Sequence, residues 1–97
     1  MADSQGPLTI QVGDCETIKV PKGQKARLVC YLRRNMPNWV YVADMNKALN
    51  TTEASSRLSE VRSILRIPID TKKAPKGRKF LYRLDPSVVV VAGTCNG

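Results

Sequence analysis

Histidine is absent from the 97 residues, and that gap removes the His-based catalytic triads and the commonest zinc ligand together. Cysteine is scarce, with Cys15, Cys30 and Cys95 the three copies and no CxxC pair. An odd, unpaired set of this kind argues against a disulfide framework and fits a reducing compartment. It leaves Cys30, in a helical pattern, as a core residue, and Cys95 exposed in a polar tail. No run approaches the roughly 18 apolar residues of a membrane span, and no signal-peptide h-region follows Met1. No membrane is expected, and the location expected is cytoplasmic. Walker and dinucleotide patterns are missing, as are paired carboxylates beside a glycine-rich loop. Neither an enzyme, a metal centre nor a cofactor is expected.

Acidic residues are few as well: eight Asp and Glu face sixteen Lys and Arg, for a net charge of +8. With a sequence pI near 9.8, the chain calls for a polyanionic partner, because released counterions drive such binding. An acidic protein surface would answer the charge as well as nucleic acid does. The rest of the composition is ordinary for a globular chain, and the length suits one domain with one modest core. The expected division is a flexible N-terminus over 1–7, a single domain over 8–92 with its core in 22–84, and a flexible tail over 93–97.

Two alternating, β-branched stretches open the domain, Leu8 to Val12 and Thr17 to Val20, with Gly13-Asp14 between them as a hairpin turn. Leu28, Val29, Leu32 and Met36 then mark an amphipathic helix over about 22–35. Its outer face carries Lys25, Arg27, Arg33 and Arg34. Met36-Pro37-Asn38 breaks the chain, and Trp39 to Val42 reads as a short extended segment with Trp39 in the core. Ala43 to Leu49 gives a second helix with Met45, Ala48 and Leu49 turned inward, and Asp44 suits its N-terminal dipole.

The stretch from Asn50 to Leu84 carries the most information. Asn50-Thr51-Thr52 is a turn, with Thr51 or Thr52 as the N-cap of a third helix. At 100° per residue, Leu58, Val61 and Leu65 fall within about 40° of Ala54, a narrow apolar seam. The opposite side is small and hydroxylated, with Thr52, Ser56, Ser59 and Ser63, and it is flanked by Arg62 and Arg66. Such a face can approach base edges closely, since nothing bulky holds the helix axis away. Two strands follow, Ile67 to Thr71 and Lys79 to Leu84, and Pro68 confines the first to a sheet edge or a strand start. The loop TKKAPKGRK carries five cations, Lys72, Lys73, Lys76, Arg78 and Lys79, suited to phosphates or to a minor groove. Ser87 to Ala92 contains four consecutive valines, the pattern of a strand buried on both sides. Left uncovered, Val88, Val89, Val90 and Val91 would pair with a second copy of the chain or with another partner.

The segment from Lys22 to Leu84 resembles the winged helix-turn-helix domain of small phage and prophage DNA-binding proteins. That family begins with a helix like KGQKARLVCYLRRN and has a third helix of the pattern R-[IL]-S-[DE]-[LV]-R, here Arg57-Leu58-Ser59-Glu60-Val61-Arg62. An x-P-I strand, a basic turn and a Y-x-L strand follow, here Ile67-Pro68-Ile69 and Tyr82-Arg83-Leu84. Where the family closes its third helix with Gly, this chain has Ile64-Leu65-Arg66 and runs one residue longer. The N-terminal strands and the valine stretch lie outside the resemblance.

The resemblance implies an α+β fold of three helices, a small antiparallel sheet and a basic wing hairpin, to which the residue patterns add N-terminal strands and a C-terminal strand. It implies a double-stranded DNA partner and a small transcriptional regulator or excisionase-like factor, in the bacterial host cytoplasm if the chain is of phage origin. Ser59 and Arg62 would then lie near DNA, and Arg57 and Glu60 would pair within the domain at their i, i+3 spacing. The expected DNA-binding set is Thr52, Ser55, Ser56, Ser59, Arg62, Ser63 and Arg66 on the helix, with Lys72, Lys73, Lys76, Arg78 and Lys79 on the wing. The competing expectation is an adaptor or inhibitor that uses the same scaffold and an exposed C-terminal strand to bind protein.

Overall fold

A computed structural model describes residues 5–15, 17–75 and 79–95. Among them, three helices and six strands alternate as β1 (Leu8–Val12), β2 (Ile18–Val20), α1 (Gln24–Asn35), β3 (Val40–Tyr41), α2 (Val42–Leu49), α3 (Ala54–Ser63), β4 (Ile69–Lys73), β5 (Phe80–Leu84) and β6 (Val88–Ala92). The strands form two antiparallel three-stranded sheets, ordered β2-β1-β6 and β3-β5-β4. The fold is α+β. No helix among the described residues is long and apolar enough to cross a membrane.

One core joins both sheets to the helices. The apolar stripe of α1 supplies Ala26, Leu28, Val29 and Leu32, all at 0% exposure, and α1 packs against α2, α3 and β5. Met45 and Leu49 of α2 are buried, while Ala48 is exposed. The expectation of an inward Ala48 therefore fails. An eight-residue helix lying over a neighbour has room for one short apolar stripe, and Met45 with Leu49 at i, i+4 fills it. Ala54, Leu58 and Val61 of α3 are buried as its seam requires. β5 buries Leu84 at 0% and Leu81 at 7% exposure, one on each of its faces.

The first sheet settles where the outer strands go. β1 and β2 form the expected hairpin, and β6 lies along the other side of β1. Opposite residues share a face, so Ile10 and Val90 point inward, while Gln11 and Val89 point to solvent. The valine stretch is thus not buried on both sides. Val88 is 3% exposed, but Val89 and Val91 are 46% and 52% exposed. An edge strand over a small core is covered on one face alone. The pairing shifts between Thr9, opposite Ala92, and Ile10, opposite Val90, which leaves Val91 as the extra residue of a bulge.

The C-terminal end of β6 is tied down three times. Gly93 takes a left-handed φ of +89° beside Pro7, where a Cβ would sit 2.5 Å from the Pro7 carbonyl oxygen. The buried Gln5 side chain donates to the Thr94 carbonyl at 2.8 Å. Cys95 is joined to Cys30 of α1 by a disulfide across 65 residues of sequence, with a Cα–Cα distance of 5.4 Å. This corrects the expectation of three unpaired thiols: antiparallel pairing of β6 with β1 carries the tail back over the helix. Cys15 stays free and exposed.

Candidate nucleic-acid interface

α2 and α3 are held as a pair by their turn. Asn50 ends α2 in the left-handed conformation, φ 52° and ψ 52°, and its N–H reaches the Asn46 and Lys47 carbonyls. Asparagine tolerates this conformation better than most residues. The start of α3 is capped differently from the expectation. Glu53 occupies the N-cap position, the Asn46 Oδ1 accepts the Ala54 N–H at 2.9 Å, and the Thr51 Oγ1 accepts the Glu53 N–H at 3.1 Å. The principal cap therefore comes from the side chain of the preceding helix, which locks α3 to α2 at its first turn. Arg27 adds a second tie, donating through Nη1 to the Leu49 carbonyl at the end of α2 at 3.1 Å.

The inner flank of α3 is fixed to α1 by charge. Arg57 meets Glu60 at 2.9 Å, as their spacing implied, and Glu53 at 3.7 Å. Lys25 of α1 reaches the same Glu60 at 3.6 Å. These groups are partly exposed and worth little individually, but they use the one flank of α3 that carries carboxylates. The other flank is left with hydroxyls and Arg62.

That flank faces a groove of about 420 Å³ lined by Ser55, Leu58, Ser59, Arg62, Ser63 and Tyr82. The Ser63 hydroxyl donates back to the Ser59 carbonyl at 2.7 Å. A second, wider groove of about 660 Å³ runs along the α2–α3 turn, where Thr52 joins Asn46, Lys47, Asn50, Thr51 and Ala43. Ser56 is exposed on α3 and lines neither groove.

Register divides the residues of the β4–β5 hairpin between two faces. Tyr82 opposes both Val40 and Thr71, and Phe80 opposes Lys73. These share the face of buried Ile69 and Leu84, the face toward the helices. Asp70, Lys72 and Arg83 lie on the reverse. There Arg83 pairs with Asp70 at 3.3 Å, and both Lys72 and Arg83 sit over the Trp39 ring, 4.6 and 4.3 Å from its centroid. Cations so placed are held by the ring quadrupole. Trp39 is half-buried outside the core cluster rather than within it, so its expected core role gives way to this contact.

The sequence-predicted residues thus separate. Ser55, Ser59, Arg62 and Ser63 come together in one groove, and Lys73 is on the sheet face that this groove adjoins. Lys79 is exposed at the start of β5, and Thr52 lies at the interhelical turn. Lys72 is directed to the opposite face. Lys76 and Arg78 lie outside the described residues. Arg66 is exposed just beyond α3 with φ +59°, taking the left-handed conformation for which a closing glycine is the unstrained choice. Tyr82 is the wall residue that sequence reading missed; the alternation of FLYRL places it on the face of core Leu84, and that was the available signal.

The chain matches no protein-family model, no curated protein and no solved structure. Its functional reading therefore rests on geometry, on charge and on the sequence resemblance of Lys22 to Leu84.

Chemically, the groove offers donors and acceptors that adapt. Serine hydroxyls contact bases of several kinds, and the Arg62 guanidinium can grip a guanine edge or a phosphate bidentately. Arg62 also lies in the last turn of α3, where a cation complements the helix dipole. Among the described residues, two groups outside the groove are shifted, and burial holds the Tyr31 hydroxyl above its ordinary pKa. Hydrogen bonds from the Ser87 hydroxyl and N–H, at 2.7 and 2.9 Å, hold the Asp85 carboxyl below its ordinary pKa.

Proposed function

We propose that this chain is a DNA-binding protein with a winged helix-turn-helix arrangement, acting as a small transcriptional regulator or excisionase-like factor of phage or prophage type. In this reading α2 and α3 are the helix-turn-helix pair and β4–β5 is the wing. α3 enters the major groove with Ser55, Ser59, Arg62 and Ser63, and Thr52 and Arg66 flank it on the backbone. Lys73 and Lys79, together with Lys76 and Arg78 of the wing loop, serve the backbone or the minor groove. Lys72 keeps to Trp39 and steadies the wing root. A cytoplasmic location belongs to the same proposal, and the Cys30–Cys95 disulfide is the feature that speaks against it, since such bonds are rare in a reducing compartment.

The observation that carries the reading is the pairing of a carboxylate-free, hydroxylated flank of α3 with the Tyr82–Lys73 face of a basic hairpin, in a chain of net charge +8. Binding of a labelled random-sequence duplex, followed by fluorescence anisotropy across a salt series, tests it. Micromolar affinity that falls steeply with salt is the expected result. A folded protein that fails to bind at low salt would exclude the DNA class.

A second reading is supported by β6, whose Val89 and Val91 stand exposed on a sheet edge. That strand would add to a second copy of the chain or to an acidic protein partner. Sedimentation of the free protein at high micromolar concentration separates these: a monomer removes the homodimer and leaves the partner protein.

A further inference from the structure

The chain is poor in aromatics, with one Trp, three Tyr and one Phe, yet three of these five line one groove. Tyr41, Phe80 and Tyr82 border a cleft of about 310 Å³ between the start of α2 and the start of β5, and Lys79 and Asn46 also line it. Phe80 is 48% and Tyr41 36% exposed. A single exposed aromatic is unremarkable, but Phe80 and Tyr82 share one sheet face and form a stacking surface for a planar group, while Tyr41, opposite Leu81, borders the cleft where β3 passes into α2. The volume sits at the small end of the ~300–1,000 Å³ typical of ligand sites, which suits one ring system rather than an extended molecule. The polar equipment is sparse and placed at the edge. The Asn46 Oδ1 is taken by the Ala54 N–H, leaving the amide NH2 as donor, and Lys79 supplies a cation.

We infer that this cleft receives one unpaired nucleobase of a nucleic-acid strand. The base stacks against Phe80 and Tyr82, a ring carbonyl or nitrogen accepts from the Asn46 amide, and the adjoining phosphate lies at Lys79. The occupant follows from charge and from continuity. A +8 chain selects an anionic strand, and Tyr82 lines both this cleft and the α3 groove, so a strand leaving α3 passes directly over it. Aromatic stacking tolerates any base, because every base has a π face. The inference rests on the DNA-binding reading and deepens it: the preferred substrate is a duplex with an extruded or displaced nucleotide beside the major-groove contact.

The test uses two duplexes of one sequence, one fully paired and one with a single unpaired 2-aminopurine. The wild type is expected to bind the second at least about fivefold more tightly, the low end of one stacked base, with 2-aminopurine emission quenched on binding. Phe80→Ala, at a half-exposed position outside the core cluster, should remove most of that preference and the quenching, and Phe80→Trp should restore both. Circular dichroism confirms that each variant is folded. Equal affinity for the two duplexes with unchanged emission overturns the inference while leaving DNA binding standing. Failure to bind either duplex at low salt overturns both. A cleft that instead accepts an apolar side chain of a protein partner gives wild type and Phe80→Ala the same affinity for both duplexes, and that too overturns it.

Discussion

Arg66 stands where the chain must turn left-handed after α3, at φ +59°, and replacing it with glycine separates its backbone role from its side-chain role. A non-glycine residue in this conformation costs roughly 1–2 kcal/mol, and glycine returns about 0.4–1 kcal/mol of that through the freer unfolded chain. Arg66→Gly should therefore stabilise the protein by about 0.5–1 kcal/mol. For a chain of this size that raises the melting temperature by about 2–8 °C. Arg66→Ala removes the same side chain without relieving the backbone, so it should melt close to the wild type. Both variants lose the guanidinium, so both should bind duplex DNA more weakly at low salt, whatever its sequence, with the salt slope reduced by about one. Thermal melts followed by circular dichroism, alongside salt-dependent anisotropy, read the two effects separately. An Arg66→Gly protein that melts no higher than Arg66→Ala would refute the backbone argument. Unchanged salt slopes in both would refute the phosphate contact.

Other perturbations test the rest of the architecture. The Cys30–Cys95 link closes a sequence separation of 65 residues, for which chain entropy gives about 4 kcal/mol. Cys95→Ser, or a thiol reductant acting on the wild type, should lower the urea midpoint accordingly, and reductant should then have no effect on the variant; a wild type indifferent to reductant would refute the link. Gly93→Ala combines a left-handed φ of +89° with a Cβ 2.5 Å from the Pro7 carbonyl oxygen, so it should cost more than about 1 kcal/mol, and a melt equal to wild type would remove that clash. The depressed Asp85 pKa favours the folded state above the ordinary carboxyl pKa, and that contribution is lost as pH falls through the folded value. Asp85→Asn should accordingly flatten part of the loss of melting temperature between neutral pH and the acid range, and identical pH profiles would contradict the Ser87 hydrogen bonds.

Local pattern was readable where it coincided with burial. The period-3.6 stripes of α1 and α3 placed Leu28, Leu32, Leu58 and Val61 correctly because these residues have no alternative to the core. The alternation of Leu8 to Val12 likewise marked a strand. What failed depended on contacts distant in sequence. Nothing near Cys30 announces Cys95, because their meeting requires β6 to run back along β1. The valine stretch is symmetrical in composition, so its sequence cannot tell a covered face from an open one; the sheet order decides. The α3 cap is not visible locally because Asn46 comes from the previous helix, whereas an N-cap is ordinarily the residue immediately before the helix. The groove was legible in its helix half, where Ser55, Ser59, Arg62 and Ser63 share a flank. Its hairpin half depends on register, and one residue of alternation separates Lys73, toward α3, from Lys72, over Trp39.

The most direct test of the central claim is a residue-resolved one: the backbone amide NMR spectrum of the labelled protein, titrated with a short duplex at low salt. The largest shifts should fall on Ser55, Ser59, Arg62, Ser63 and Arg66, with a second group at Lys73 and Lys79. Thr9, Gln11 and Val89, on the solvent face of the β2-β1-β6 sheet, should stay still. Shifts centred on that sheet, or none from a folded protein at low salt, would contradict it.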